Sequence, residues 1–449
     1  MVAILGGGIS GLTLAYYLQK AGVGYDLFEA SSTPGGNIRT ARIDNYLLET
    51  GPNSLQLSPE LNDLLTDLGL LDEIQETEAV SANRYVLRGG RYRKLPGSPP
   101  ALLANGFFSL KAKLNILREL SRTPLPPNPD ETLASFFRRR FGSEIVEYAL
   151  NPFISGIYAG DPEKLLVHKT FPKIAELEQT FGSVIRGLMK SGGADGRRRI
   201  ISLRQGLQAL PITLAAQLTN YHSGQAVTGL TRLPDGRYHV QLEGSSAPRS
   251  YTDVVLALPT YAAAPLLRDL FPEAADALAT VYHPPMAAIY TAYRRADVAH
   301  PLDGFGALHP QVEQPYAAGS IWTSSLFPNR CPADQVLFTT FVGGSQYEAQ
   351  ARQSAEEQQQ AVHQELTRFY GIKASKPVWQ TRYYWERAIP QFDSRIVAAH
   401  AAADTLEAEH IHATANWRAG VGVPDCVRHA RQLAEKITRS APQLLSLTQ

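Results

Sequence analysis

The sequence predicts an α/β (α+β) fold: a parallel-sheet domain gathered from separated stretches of the chain, a second domain built on a mixed sheet, and an inserted helical region. Three observations predict it. The chain opens on the apolar run Val2-Ala3-Ile4-Leu5, passes through glycines into an Ala/Leu/Tyr-rich stretch ending at Gly22, and continues as Tyr25-Asp26-Leu27-Phe28-Glu29. That is a strand, turn, helix and strand of βαβ length. Residues 225–259 alternate as strands around an Asp235-Gly236 turn and end in the apolar run Asp253-Val254-Val255-Leu256-Ala257-Leu258. The C-terminal stretch returns to strand, glycine loop and helix, closing the first domain.

Bulk properties narrow the function classes. The chain has 449 residues, more than one core ordinarily serves. A net charge of +1 offers no global attraction to nucleic acid, and none is expected as a partner. Cys331 and Cys426 stand far apart and in no CxxC spacing, so neither a disulfide framework nor a zinc site is expected. His410-x-His412 lacks a third ligand at suitable spacing, and structural histidines with no metal are expected there. No run of eighteen apolar residues occurs, and the first strand leaves no room for a secretory signal. A reducing, cytoplasmic setting is the expectation, with any membrane met from its surface.

The elements follow in order. Ser58-Pro59 caps a helix whose Leu61, Leu64, Leu65 and Leu68 share one face. Proline-rich breaks at 96–100 and 124–127 enclose short helical patterns. Further on, strands and one long helix ending at Gly371 suggest the second sheet domain. The expected boundaries are 1–82, 200–263 and 403–449 for the nucleotide domain, 83–95 and 264–402 for the substrate domain, and 96–199 for the helical insert.

Gly6-Gly7-Gly8-Ile9-Ser10-Gly11 fits G-x-G-x-x-G between a strand and a helix, with Glu29 ending the next strand and Ala30 beyond it. Gly6 permits a tight turn, Gly8 lets backbone approach a pyrophosphate, and Gly11 lets helix and sheet pack. The N–H groups opening the helix at Ile9 and Ser10 would face the phosphates. Glu29 would accept from ribose hydroxyls and disfavour a 2′-phosphate, which makes NADP a poor fit. A Rossmann-like dinucleotide domain follows.

Downstream stand Gly35-Gly36-Asn37-Ile38-Arg39 and Glu49-Thr50-Gly51-Pro52-Asn53, then Gly206 to Pro211, Val227, and Ala415-Asn416-Trp417-Arg418-Ala419-Gly420-Val421-Gly422-Val423. These resemble the FAD-holding segments of the flavin amine oxidase superfamily. The resemblance implies FAD bound by Gly6, Gly8, Ile9, Ser10, Gly11, Glu29, Ala30, Gly35, Gly36, Asn37, Arg39, Gly51, Pro52, Asn53, Val227, Trp417, Val421 and Val423. The superfamily usually has glycine at Ala415 and Ala419. No second G-x-G-x-x-G follows a strand, so electrons are expected to leave to a diffusible acceptor, O2 in the simplest case with H2O2 as product, or else a quinone.

Leu150-Asn151-Pro152-Phe153-Ile154-Ser155-Gly156-Ile157-Tyr158-Ala159-Gly160-Asp161-Pro162, with Ser324 to Arg330 and Thr339 to Gly344, is similar to the protoporphyrinogen oxidase family within that superfamily. This implies an apolar site for a tetrapyrrole, with Gly156, Leu308, Ile321 and Phe341 against the macrocycle and Arg84 pairing with a propionate. Leucine is expected where Ile321 stands. No acid–base pair is named, because porphyrinogen oxidation is downhill and needs positioning more than a strong base. A homodimer and product hand-over to a ferrochelatase are candidate partnerships, with the oligomeric state left open by the sequence.

The basic amphipathic stretch Ser109 to Arg118 suggests membrane-surface contact, with Lys111, Lys113, Arg118 and Arg122 toward headgroups and Phe107 and Phe108 in the apolar layer. Arg138-Arg139-Arg140 and Arg197-Arg198-Arg199 either add to it or keep their helices soluble, and the alternative for the amphipathic stretch itself is a solvated face over a core stripe. The competing readings are a coproporphyrinogen oxidase of the same family, an amine oxidase or carotenoid desaturase, and a non-catalytic flavin-binding scaffold.

Overall fold

The computed structural model of the chain describes residues 1–97, 99–190, 199–244 and 249–440. A five-stranded parallel sheet runs in the order Tyr221–Ser223, Tyr25–Glu29, Val2–Leu5, Asp253–Leu256, Ile411–Ala413. All four residues of Val2–Leu5 are buried, which is why that strand is a continuous apolar run: helices or strands cover both faces. On one face Ile9–Lys20 packs against Val423–Ser440 through Leu12, Leu18, Val427, Ala430 and Ile437. The capped helix Pro59–Asp67 joins them with Leu61, Leu64 and Leu65, its Ser58 Oγ accepting the Leu61 N–H (3.2 Å).

The opposite face carries the antiparallel strands Val227–Arg232, Tyr238–Leu242 and Arg249–Tyr251. It also carries the helices Thr260–Leu267, Pro272–Ala279 and Ser394–Leu406, which share one buried cluster with Phe28, Val254 and Ile411. Packing therefore extends the nucleotide unit past residue 263 and brings it back before residue 403. The apolar stripes of these helices have no mark in sequence that says which sheet they cover.

The second sheet has seven strands, in the order Trp379–Trp385, Met286–Arg294, Gln335–Gly343, Gly319–Trp322, Gly306–Leu308, Tyr85–Arg88, Arg91–Lys94. All its pairings are antiparallel except that of Gly306–Leu308 with Tyr85–Arg88. One face buries Ala287, Ile289, Trp322, Phe338 and Val342 beneath the long helix Ala355–Tyr370. That helix starts on a Ser354/Glu357 capping box and stops at Gly371, whose φ of 62° is left-handed. The other face looks toward the nucleotide unit and the helical insert.

The insert packs Leu133–Phe141, Asn151–Tyr158 and Pro172–Phe181 around Leu133, Phe136, Leu150, Ile154 and Val184. A buried ion network ties it together. The Arg140 guanidinium donates to Glu119, and Arg139 donates to both Glu131 and Glu178. Glu119 in turn accepts from Ser183 Oγ (2.6 Å) and the Val184 N–H (2.8 Å). Arg139 and Arg140 thus hold the insert from within and do not face headgroups, and Arg138 pairs with Glu163. Arg199 pairs with Glu76, while Arg197 and Arg198 lie outside the described residues. Among the described residues no helix is long and apolar enough to cross a membrane.

Candidate active site

The first strand ends at a turn that only glycine fits. Gly6 has φ 111°, and a Cβ there would lie 2.6 Å from the Ala257 carbonyl oxygen; one on Gly11 would lie 2.0 Å from the Gly6 oxygen. Around Gly8 the situation reverses, because a Cβ there meets nothing within 4 Å. The helix starting at Ile9 has no side-chain cap and no acid in its first turn, although Ile9 and Ser10 are buried. A buried, uncapped helix start beside open space at Gly8 fits a bound pyrophosphate.

The other nucleotide residues gather around it. Gly35 bridges to Gly8 and gives its N–H to the Gly7 carbonyl (2.8 Å). A Cβ on Gly36 would stand 3.3 Å from the Gly8 Cα. Glu29 uses one carboxylate oxygen on the Gly7 N–H (2.6 Å) and the other on the Ser31 N–H (2.8 Å), which fixes it next to exposed Ala30. The Gln225 N–H reaches the Glu29 carbonyl (2.9 Å) and so brings the strand of Val227 alongside.

Farther along, Gly51 lies so close to the Asn37 carbonyl that a Cβ would come within 1.9 Å. The Thr50 N–H donates to the Arg39 carbonyl, so Asn37–Arg39 and Gly51-Pro52-Asn53 form one patch. Arg39 gives Nε–H to the Gly36 carbonyl (2.9 Å) and borders a cavity of about 370 Å³ with Thr33, Gln208 and Tyr290.

Two residues of the resembling segments to which the sequence gives no role hold this patch. Glu49 is buried and accepts from Thr40 Oγ1 (2.7 Å), the Leu207 N–H (3.0 Å) and Arg330 (3.4 Å). Burial pushes its carboxyl above the usual range, against the pull of those donors. Arg330 also reaches Ser202 Oγ (2.7 Å) and the Leu203 carbonyl, tying the second domain to the Ser202–Pro211 segment. The one sequence signal was an acid at the end of the otherwise apolar run Tyr46-Leu47-Leu48.

The C-terminal helix Val423–Ser440 begins beside the first helix, and its Cys426 thiol donates to the Gly420 carbonyl (3.6 Å). Val421 and Val423 are half-buried at this junction. The Trp417 indole, expected at the cofactor, is fully buried and gives Nε1–H to the Leu258 carbonyl (3.0 Å), so only its backbone is left for a ligand. That backbone is held by His400, whose Nε2 lies 2.7 Å from the Trp417 carbonyl.

The expected substrate residues share one sheet face. Leu308 pairs with Gly319 and Gly319 with Phe341, while Gly306 pairs with Ile321 and Ile321 with Thr339. Directly opposed residues face the same way, so Leu308, Ile321 and Phe341 project together, with Val86 beside them. Gly306 and Gly319 bare the floor between them, because a Cβ at either would come within 2.5 Å of a neighbouring carbonyl oxygen.

The helix Asn151–Tyr158 packs against this sheet face at Leu308. A Cβ on Gly156 would lie 2.7 Å from Leu308 Cδ2, and Phe153 and Ile157 stand exposed on the same helix face. Asn151 locks that helix through Gln346 Oε1 (2.9 Å) and the Gln311 N–H (3.0 Å), and a π-helical turn at Val146–Leu150 precedes it. Arg84 is exposed at the edge, stacked over Phe305 at 4.4 Å, with no ion pair among the described residues. Phe107 and Phe108, expected in a membrane layer, are instead buried beneath Val86 and Leu308, where they support the slot.

His410 and His412 both bond Asp253 Oδ1, at 3.1 and 3.4 Å, and so close the nucleotide sheet.

A parallel-sheet nucleotide unit with a glycine cradle, joined to a mixed sheet that carries an apolar slot, defines a two-domain FAD-dependent oxidoreductase. The chain belongs to the flavin containing amine oxidoreductase family, which matches residues 9–438. Its relatives include the chloroplastic protoporphyrinogen oxidase of Oryza sativa subsp. japonica, 34% identical over 97% of this chain and 87% of that protein. Coproporphyrinogen III oxidase of Bacillus subtilis (strain 168) is 27% identical over 95% of each. A crystal structure of a protein from Exiguobacterium sp. 255-15 shares the fold, with a TM-score of 0.80, 23% identity and 98% of both chains covered.

The residues present fit FAD, as the cradle at Gly8 and the uncapped helix start already indicate. Ile9, Ser10 and Gly11 would hold its pyrophosphate, Glu29 its ribose, and the Gly51–Asn53 and Trp417–Val423 segments its ring.

Proposed function

We propose that this chain oxidises protoporphyrinogen IX to protoporphyrin IX in three two-electron steps, with O2 as acceptor and three H2O2 as product. The observation that carries the reading is the apolar sheet face shared by Leu308, Ile321 and Phe341, with Gly156 of the insert set against Leu308. A flat, largely uncharged macrocycle is the ligand that such a face favours. FAD, when bound, supplies the hydride-accepting chemistry. The chain's own part is to bury the macrocycle, exclude water, and hold a methylene bridge toward the ring. Arg84, unpaired at the edge, would receive one propionate in a two-pronged hydrogen bond. Exposed Leu110, Leu114 and Leu117 on the helix Leu110–Glu119 support contact with a membrane surface, where such an apolar substrate collects.

The test is the growth of porphyrin fluorescence with peroxide release when the purified flavoprotein receives protoporphyrinogen IX or coproporphyrinogen III under air and under argon. Faster turnover of the four-carboxylate substrate would transfer the proposal to coproporphyrinogen, the reading favoured by the Bacillus subtilis relative. No porphyrin from either substrate would end it.

A further inference from the structure

The helix Asn151–Tyr158, which carries Gly156, is anchored to the second sheet by side-chain amides. The strands Gly306–Leu308 and Gln335–Gly343 are each antiparallel to Gly319–Trp322, so they run the same way and their chains leave at one end of the sheet. Asn151, 8% exposed, bonds both departing loops. Its Oδ1 accepts the Gln311 N–H from the loop after Leu308 (3.0 Å), and its Nδ2 donates to Gln346 Oε1 from the loop after Phe341 (2.9 Å). Gln346 passes the chain on, giving Nε2–H to the Gly160 carbonyl just beyond the helix (2.7 Å).

This chain of bonds has one possible direction. It starts on a backbone N–H, which only donates, and ends on a backbone carbonyl, which only accepts, so both side-chain amides are fixed in orientation. A side chain able to accept and donate at once is therefore required at 151 and at 346. The far end of the helix is tied to the same loop: the Ser345 N–H bonds the Ala159 carbonyl (2.8 Å), where Ala159 has a left-handed φ of 51°. Gln391, 2% exposed, adds its Nε2–H to the Tyr158 carbonyl (2.9 Å). Start and end of the helix are thus both held by loops outside the insert.

We infer that Asn151 and Gln346 are positioning residues: their amide chain sets where the Gly156 helix lies over the sheet face of Leu308, Ile321 and Phe341, and so how well a flat ligand fits there. They act through the helix and not by touching the ligand. The inference rests on the reading of that face as the tetrapyrrole site. Hydrogen bonds suit the task because they weaken steeply with distance and angle, and so define one placement where apolar packing alone allows several. The tolerance is small, since a Cβ on Gly156 would already lie 2.7 Å from Leu308 Cδ2.

Near-isosteric acids break the chain of bonds without emptying space. Asn151→Asp keeps the Gln311 bond but has no donor for Gln346, and Gln346→Glu keeps the Asn151 bond but has no donor for Gly160. In the full-length, FAD-loaded protein each should speed deuterium exchange of residues 151–160 about tenfold, the loss of one amide bond, and leave exchange in the parallel sheet unchanged. Each should also weaken binding of protoporphyrin IX, read by absorbance titration, about fivefold and raise the porphyrinogen KM alike, with kcat and flavin content retained. Gln346→Met, which can neither accept nor donate well, should show the same pattern more strongly. Unchanged exchange, unaltered porphyrin affinity, or a loss confined to kcat and flavin content, as general destabilisation would give, overturns the inference. A parent protein that binds no porphyrin sinks the substrate reading instead, and the positioning role with it.

Discussion

Gly8 and Gly11 are three residues apart, yet an added methyl meets opposite surroundings. At Gly8 it points into open space at a φ of −73° that any residue adopts, so Gly8→Ala should cost the cofactor-free fold only about 1 kcal/mol, as an alanine at a helix start does. Its FAD affinity should nevertheless drop by tenfold or more, roughly, because that space is where the pyrophosphate approaches. Gly11→Ala should instead destabilise the fold itself by about 1–3 kcal/mol or more, since the methyl would enter the Gly6 carbonyl. Flavin fluorescence titration and thermal melts of the stripped proteins separate the two; equal behaviour would refute the assignment. Arg84→Ala should raise KM by the equivalent of roughly 1.5–3 kcal/mol with flavin content unchanged. Steady-state kinetics on the porphyrinogen checks it, and an unaltered KM would remove Arg84 from the substrate site. The glycines were legible because their spacing between a strand and a helix has one mechanical meaning. The pairing of Glu49 with Arg330 was not, because a buried ion pair 281 positions apart leaves no local pattern.

At the scale of elements, the apolar slot is a consequence of register. Sliding Gly319–Trp322 by one residue would turn Ile321 into the buried face and bring Trp322, now fully buried, into the slot. The substrate residues were named from resemblance; alternation alone would have assigned Leu308 and Phe341 to ordinary core. Gly156 shows the matching effect from the helix side, and Gly156→Val should reduce kcat/KM by roughly a hundredfold while flavin binding persists, as the branched side chain would overlap Leu308 and fill the slot. Activity comparable to the parent would exclude substrate from this position. The helix Leu110–Glu119 splits the sequence expectation. Its Leu110, Leu114 and Leu117 are exposed, whereas Phe107 and Phe108 turn inward. Leu114→Glu with Leu117→Glu should therefore abolish cosedimentation with anionic vesicles without lowering thermal stability, and retained vesicle binding would count against a membrane role for this face.

Across the whole molecule, three histidines couple folding to pH. Burial pushes His283, His400 and His429 down to about 4 from an ordinary 6.5. The unfolded chain accepts these protons first as pH falls, so stability is intact above about pH 6.5 and declines down to about pH 4. Asp253, held near 2 by His412, Thr252 and His410 despite its burial, keeps its charge through that window. Urea melts at pH 7, 5.5 and 4.5 should show falling midpoints, with protons taken up on unfolding; a flat profile would contradict the burial of these rings.

The sequence by itself determined the opening βαβ unit and its glycine cradle, because these rest on spacing within a few neighbouring residues, while the FAD cofactor followed from the resemblance of several separated segments to one superfamily. Tertiary structure alone decided that residues 264–279 and 394–402 pack with the nucleotide unit, that Arg139 and Arg140 turn inward, and that Phe107 and Phe108 support the slot. Amphipathic faces and arginine clusters state only that a partner is needed. Which partner they meet is fixed by contacts between segments far apart in the chain.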